Sequence, residues 1–396
     1  MTPRFAAAFA APLVTLLGTA PALAQDAPPV PNPVPAPVPD AAPAAGYDKG
    51  FFIRGADELF ALKLQGRVQV RYSYEAIDGG EDDSAFEIAR ARLTAAGHAY
   101  SKDIEYKLQV DFGKGNVTLQ DFLVDYRLGG GDIYLRAGQW KRPFSRQQIT
   151  SSGSLELVDR AITDKAFGGS RDIGLALHND YETAPAGLEW VLGVFNGTGD
   201  KPSFSGDVVV DPLTGEGSVV GGGFSNVPAM FAPMIVTRVG WNNSAKEGYK
   251  EADFKGGPLR FGVGASALVE LDADEDDESS VRGEIDYFAK VSGFSTTGGV
   301  YVATAQDDVD FADQSYAALG FHLQGGYLID GTYQPAVRVA MVDPDGDDNN
   351  TLELAGGLSV YQFEHGFKWQ TDVSLLAHEG SSTNDILVRT QLQLSF

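Results

Sequence analysis

The stretch LKLQGRVQVRYSYE divides into two sets: Leu62, Leu64, Gly66, Val68, Val70, Tyr72 and Tyr74 on one side, Lys63, Gln65, Arg67, Gln69, Arg71, Ser73 and Glu75 on the other. A period of two places them on opposite faces of an extended strand, one oily and one wet. From about residue 50 the same alternation recurs in sixteen segments, near 60–75, 86–99, 103–113, 117–128, 132–140, 171–179, 188–196, 231–242, 258–271, 280–292, 294–305, 315–325, 331–342, 351–363, 366–379 and 384–396. A chain so built is a sandwich around an apolar core or a closed barrel whose apolar faces meet lipid.

Beyond the first two dozen of the 396 residues no apolar run approaches the roughly 18 that a spanning helix needs. Helical membrane proteins are thereby excluded, whereas a barrel hides its lipid face in the alternation. Residues 1–24, with Arg4, an apolar middle and an ALA ending at Ala24, read as a signal peptide cleaved before Gln25. Gln25 to Gly46 holds eight prolines and reads as a disordered periplasmic linker, leaving 47–396 for the barrel. The formal charge of -24 argues against a nucleic-acid partner, and without cysteine no disulfide can hold an exported fold together.

Connections between segments mostly alternate between short and long, as barrel turns and outer loops do. The exception is Asn243 to Gly257, too long for a tight periplasmic turn. In ILVRTQLQLSF, residues Ile386 to Phe396, the final strand ends on an aromatic of its oily face, which resembles the sorting signal of outer-membrane barrels. The expectation is an all-β, 16-stranded antiparallel transmembrane β-barrel. Its lumen would be lined by Lys63, Arg67 and Arg71, by Arg90 and Arg92, by Glu105, Lys107 and Asp111, and by Asp121, Asp125 and Arg127. Sixteen strands leave an aqueous channel, so something must narrow it if it is to choose. The long connection Lys141 to Asp172, rich in Lys, Arg, Ser and Thr, is the candidate for an infolded third loop. Its cations either replace the hydration of a passing anion or pair with lumen carboxylates and pin the loop.

FEIARARL, IEYKLQVDF, VTLQDFLVDY, YLRAGQWKRPFS, TSSGSLELVDRAI, GGSRDIGLALH and LGVFNGTG, in that order and spacing, resemble the phosphate-selective porin O and P family, strongly over 86–199. The resemblance implies a trimeric Gram-negative outer-membrane porin passing small inorganic anions, phosphate or polyphosphate foremost, in contact with lipid and lipopolysaccharide. It places Ser151 and Ser152 as hydroxyl donors, Arg160 as a cation on the same loop, Arg90 with Arg92 on the second strand, and Asp121 on the fourth. Two positions depart from the family pattern: Gln148 stands where phosphate-binding members carry a lysine, and the expected Arg-Arg pair is Ala89-Arg90. The alternative is a general, weakly selective or cation-tolerant diffusion porin of the same fold.

No enzyme, cofactor or metal is expected. His98, His178, His322, His365 and His378 lack metal-ligand spacing and read as solvated lumen or rim residues. DPDGDDNNTLE has Gly346 and Leu354 where a calcium loop needs other residues, and the GGG runs at 129–131 and 221–223 precede no helix. A lipase-type barrel would need a lipid-facing Ser beside a His, and a soluble sugar-binding sandwich does not account for the terminal Phe396.

Overall fold

The computed structural model describes the chain from residue 44 onward, except 78–79, 200–202, 211–216, 229–230, 245–248, 272–278, 308–313, 345–348 and 381–383. The signal-peptide segment, nearly all of the proline-rich linker and much of the acidic loop sequence therefore lie outside the described residues.

Two short strands, β1 (Ala45–Tyr47) and β2 (Phe51–Arg54), precede the barrel. Its first half comprises β3 (Ala61–Ala76), β4 (Asp83–Ala99), β5 (Ser101–Asp111), β6 (Thr118–Arg127), β7 (Tyr134–Lys141), β8 (Arg171–His178) and β9 (Gly187–Phe195). A separate hairpin of β10 (Ser203–Val210) and β11 (Gly217–Ser225) follows. The barrel resumes with β12 (Met234–Asn242), β13 (Arg260–Glu270), β14 (Ser279–Val291), β15 (Phe294–Asp307), β16 (Gln314–Tyr327), β17 (Tyr333–Asp343), β18 (Thr351–Phe363), β19 (Phe367–His378) and β20 (Asn384–Ser395). Each barrel strand pairs antiparallel with the next, β9 with β12, and β20 closes onto β3. These sixteen strands coincide with the sixteen alternating segments of the sequence. The linker boundary differs slightly, because Ala45 and Gly46 already belong to β1.

The two faces are inverted relative to a soluble protein. On β3 and β20 the buried side chains are Gln69, Arg71, Arg389, Gln391 and Gln393, while Val68, Val70, Leu392 and Leu394 are exposed. Phe86 at 81%, Ile285 at 69% and Val300 at 63% exposure continue the outer apolar band, the pattern of a membrane barrel rather than of a water-soluble one. The oily face of Leu62 to Tyr74 is thus the outer one.

The closing seam brings a glycine against the terminal aromatic ring. Gly66 and Phe396 exchange backbone hydrogen bonds of 2.7 and 2.9 Å, and a Cβ on Gly66 would stand 2.3 Å from the Phe396 ring. Gly66→Val should therefore push the Phe396 ring off the seam, at a cost of up to about 1–3 kcal/mol. The check is heat-modifiable gel migration, with the melting midpoint of the compact form expected to drop; an unchanged midpoint would show that the seam tolerates a Cβ.

Two bulges set the inner face near the first strands. At the β3–β4 pairing Gln69 faces Arg90 while Val70 faces Ile88, so Ala89 is an extra residue and the consecutive Ala89 and Arg90 share the inside. Likewise Gln109 faces Asp121 and Val110 faces Leu119, which brings both Gln120 and Asp121 inward.

The connection from β12 to β13, too long for a turn, is spent on inward contacts. Tyr249 donates to Glu189 at 2.7 Å and accepts from Arg238 at 3.0 Å, and the Phe254 ring meets Tyr361 edge-on at 4.8 Å. The histidine expectation needs correcting: His178 and His322 are buried, not solvated. His178 is held by Asp125 at 3.1 Å, and His322 lies against Tyr301 and Thr163, since inward-facing positions here are tightly packed.

Candidate functional site

Residues 142–170, between β7 and β8, hold two short helices, α1 (Arg146–Ile149) and α2 (Ile162–Phe167). Ser145 turns the chain at φ 72°, and its Oγ accepts from the Gln148 amide to cap α1. The segment touches strands far around the barrel. Arg146 Nε donates to Asp286 on β14 at 3.1 Å, and Gln334 Nε2 on β17 donates to Glu156 at 2.6 Å. The Val158 amide donates to Asp372 on β19 at 2.9 Å and the Ile162 amide to Glu353 on β18 at 3.1 Å. Lys368 Nζ donates to the Leu155 carbonyl at 2.8 Å. Because the partners are inward-facing side chains, the segment is packed against the inner wall.

Most of the cations singled out by sequence are engaged with protein groups. Arg90 donates to Gln69 at 3.1 Å and pairs with Asp159 at 3.4 Å. Arg92 pairs with Asp111 at 2.7 Å and reaches Gln120 at 3.1 Å. Asp121 lies 2.7 Å from both Lys107 and Arg171. Arg160 braces its own segment, donating to the Gln147 and Thr150 carbonyls at 2.8 Å each, with Asp164 3.7 Å away. Gln148, at the position of the family's lysine, has its carbonyl capped by Lys141 Nζ at 2.7 Å, so an ammonium does reach this turn from β7. Asp159 ties the loop to the wall: burial disfavours its charge, but Arg90 and Arg71 hold the carboxyl well below the usual carboxylate range.

Ser151 and Ser152 converge on a residue that the sequence placed on the inner face but not in the site. Arg67 on β3 donates Nη1 to Ser151 Oγ at 2.9 Å and Nη2 to Ser152 Oγ at 3.1 Å. Among the described residues this guanidinium has no ion pair. Gly153 makes room for it, because a Cβ there would stand 2.2 Å from Arg67 Nη1. Arg67, Arg92 and Ser151 line a cavity of about 890 Å³ at the end of the barrel where β3 begins, together with Lys250, Lys290 and Phe396. No local signal joins Arg67 to the serines, which are 84 and 85 residues away in the chain.

The family model for phosphate-selective porin O and P matches residues 62–375, nearly the whole barrel. The chain belongs to this family. Its members are outer-membrane channels, and the closed sixteen-stranded wall described above is the corresponding fold. No curated protein matches the porin at the sequence level. Among solved structures it is similar to the outer-membrane channel DcaP of Acinetobacter baumannii, at 14% identity and TM-score 0.59 over 87% of this chain and 99% of that one. The anion-selective porin from Comamonas acidovorans gives 12% identity and TM-score 0.57 over 85% and 100%. A loop-deletion variant of OmpT from Vibrio cholerae gives 10% and 0.50 over 85% and 99%. At such identities these likenesses concern the fold.

Within the porin, the named residues therefore fall into two groups. Arg90, Arg92, Asp121 and Arg160 spend their charge on partners inside the protein, whereas Arg67 offers a full charge to hydroxyl groups that can themselves turn a proton toward a solute.

Proposed function

We propose that this outer-membrane porin passes small anions by diffusion, with the Arg67, Ser151 and Ser152 cluster as the point where an anion exchanges water for protein donors. The observation that carries the reading is the absence, among the described residues, of any carboxylate paired with Arg67. A guanidinium balanced only by neutral hydroxyls keeps a positive potential in the lumen. Phosphate or polyphosphate is the solute best suited to a fork of two N–H donors and two rotatable hydroxyls. Arg90, Arg92 and Arg160 then act at a distance, keeping the loop in place, and Asp121 holds Lys107 and Arg171. The porin works as a trimer in contact with lipid and lipopolysaccharide, as the family implies.

One observation favours the second reading, a weakly selective or cation-tolerant pore: the other cations singled out by sequence are already matched with acids or carbonyls. The zero-current potential under a potassium chloride gradient in a planar bilayer separates the two. A chloride-side potential with current blocked by added phosphate is expected. A potassium-side potential unaffected by phosphate would leave only the fold in common with phosphate-selective relatives.

A further inference from the structure

The segment 142–170 and the β12–β13 connection meet through two acidic side chains. The Glu251 amide donates to the Ser154 carbonyl at 3.1 Å, and the Glu156 amide donates to Glu251 Oε2 at 2.7 Å. Both carboxyl groups are buried, Glu156 at 2% and Glu251 at 8% exposure. A single amide nitrogen, Gln324 Nε2, contacts both, at 3.2 Å from Glu156 Oε2 and 2.8 Å from Glu251 Oε2. Glu156 also accepts from Ser295 and from Gln334. These side-chain donors to Glu156 are all neutral.

We propose that this pair is a proton-controlled clasp: with Glu156 protonated it joins the two inward segments, and with Glu156 ionised beside Glu251 it drives them apart and widens the passage between them. The clasp is independent of which ion the pore prefers. Two like charges a hydrogen bond or two apart in a dry site cannot both ionise without cost.

The charges around the pair set where it responds. Lys290 on β14 favours ionisation, Lys250 beside Glu251 and Arg146 of the loop lie close by, and the titratable Lys368 of β19 and Tyr361 of β18 also face the pair. The facing residues of β15, β16 and β17 are Ser295, Gln324 and Gln334, which carry no charge. Lys368 gives its hydrogen bond to the Leu155 carbonyl rather than to either acid. Burial, then the Glu251 carboxylate, push the Glu156 carboxyl up to about 7. A raised acid holds its proton in the closed form and loses it in the open form. The clasp is therefore fully formed below the ordinary glutamate value of 4.5 and weakens as pH rises toward about 7.

The test is single-channel conductance of the full-length porin in planar bilayers from about pH 5 to about pH 9, with the zero-current potential recorded at each step. Wild-type conductance is expected to rise about twofold across neutrality. Glu251→Gln keeps an oxygen for both donors while removing the charge, and should hold the low-pH conductance throughout. Should that variant fail to show heat-modifiable migration, Glu251→Ala replaces it and is likewise expected to give no titration. A flat wild-type profile, or an undiminished titration in the Glu251 variants, overturns the clasp. A wrong assignment of anion preference would instead show in the potential and leave the conductance titration intact.

Discussion

Arg67→Glu should turn the zero-current potential of this porin from the chloride side toward the potassium side. The substitution changes the lumen by two charge units at a point where, among the described residues, no acid is paired with the original cation. For an ion passing at about 5 Å, one unit charge is worth roughly 0.8 kcal/mol even at the dielectric of water. Two units acting with opposite sign on anion and cation give about 3 kcal/mol in their ratio, and salt screening leaves about half. The expected outcome is a change of about tenfold in the anion-to-cation permeability ratio. Arg67→Lys should keep the sign of the potential but weaken phosphate block, because an ammonium cannot reach both serines as a planar fork does. An unaltered potential in Arg67→Glu would mean that another set of charges selects the ion.

The difference between Arg67 and the other candidates marks how far sequence carries. Period-two alternation is a strong constraint, so it assigns Val68 and Val70 outward and Gln69 and Arg71 inward by itself, and all sixteen strands follow. Alternation assigns a face but not a neighbour. Ser151 and Arg67 are brought together by strand pairing around the barrel, and nothing within a few residues of either announces the other. The bulge at Ala89 illustrates a second limit: two adjacent residues facing inward look like a break in the pattern until the pairing with Gln69 shows an extra residue. The connection after β12 was legible only as an anomaly of length, because its inward course rests on Glu189 and Ser154, both distant in sequence, as well as on Arg238 of β12 itself. His178 and His322 fail for the same reason, since a face can be read from periodicity while packing density cannot.

Asp159→Asn should uncouple the two roles of the inner arginines. In the wild type its carboxylate holds Arg71 at 3.2 Å and Arg90 at 3.4 Å, and its backbone carbonyl accepts from Arg338 at 2.8 Å. Removing one partner of a fully buried ion pair costs about 3–5 kcal/mol. With the Asp159 side chain 28% exposed, solvent screening reduces this to about 1–2 kcal/mol of loop anchoring. The loop then loosens while Arg90 loses its paired acid and Arg71 is left with Glu87 at 3.6 Å, so open-channel noise should rise and the chloride-side potential grow, even as phosphate block weakens because Ser151 and Ser152 are less firmly placed. Unchanged noise together with an unchanged potential would sink the idea that this carboxylate links anchoring to selectivity. The pH response has the opposite sign to that of Glu156. A carboxyl held below its ordinary value of 3.8 gives its full stabilisation above that pH and loses it only as pH falls further. Anchoring by Asp159 is thus constant across the range in which the Glu156–Glu251 clasp titrates, so a conductance change near neutrality belongs to the clasp and noise appearing only in strong acid belongs to Asp159.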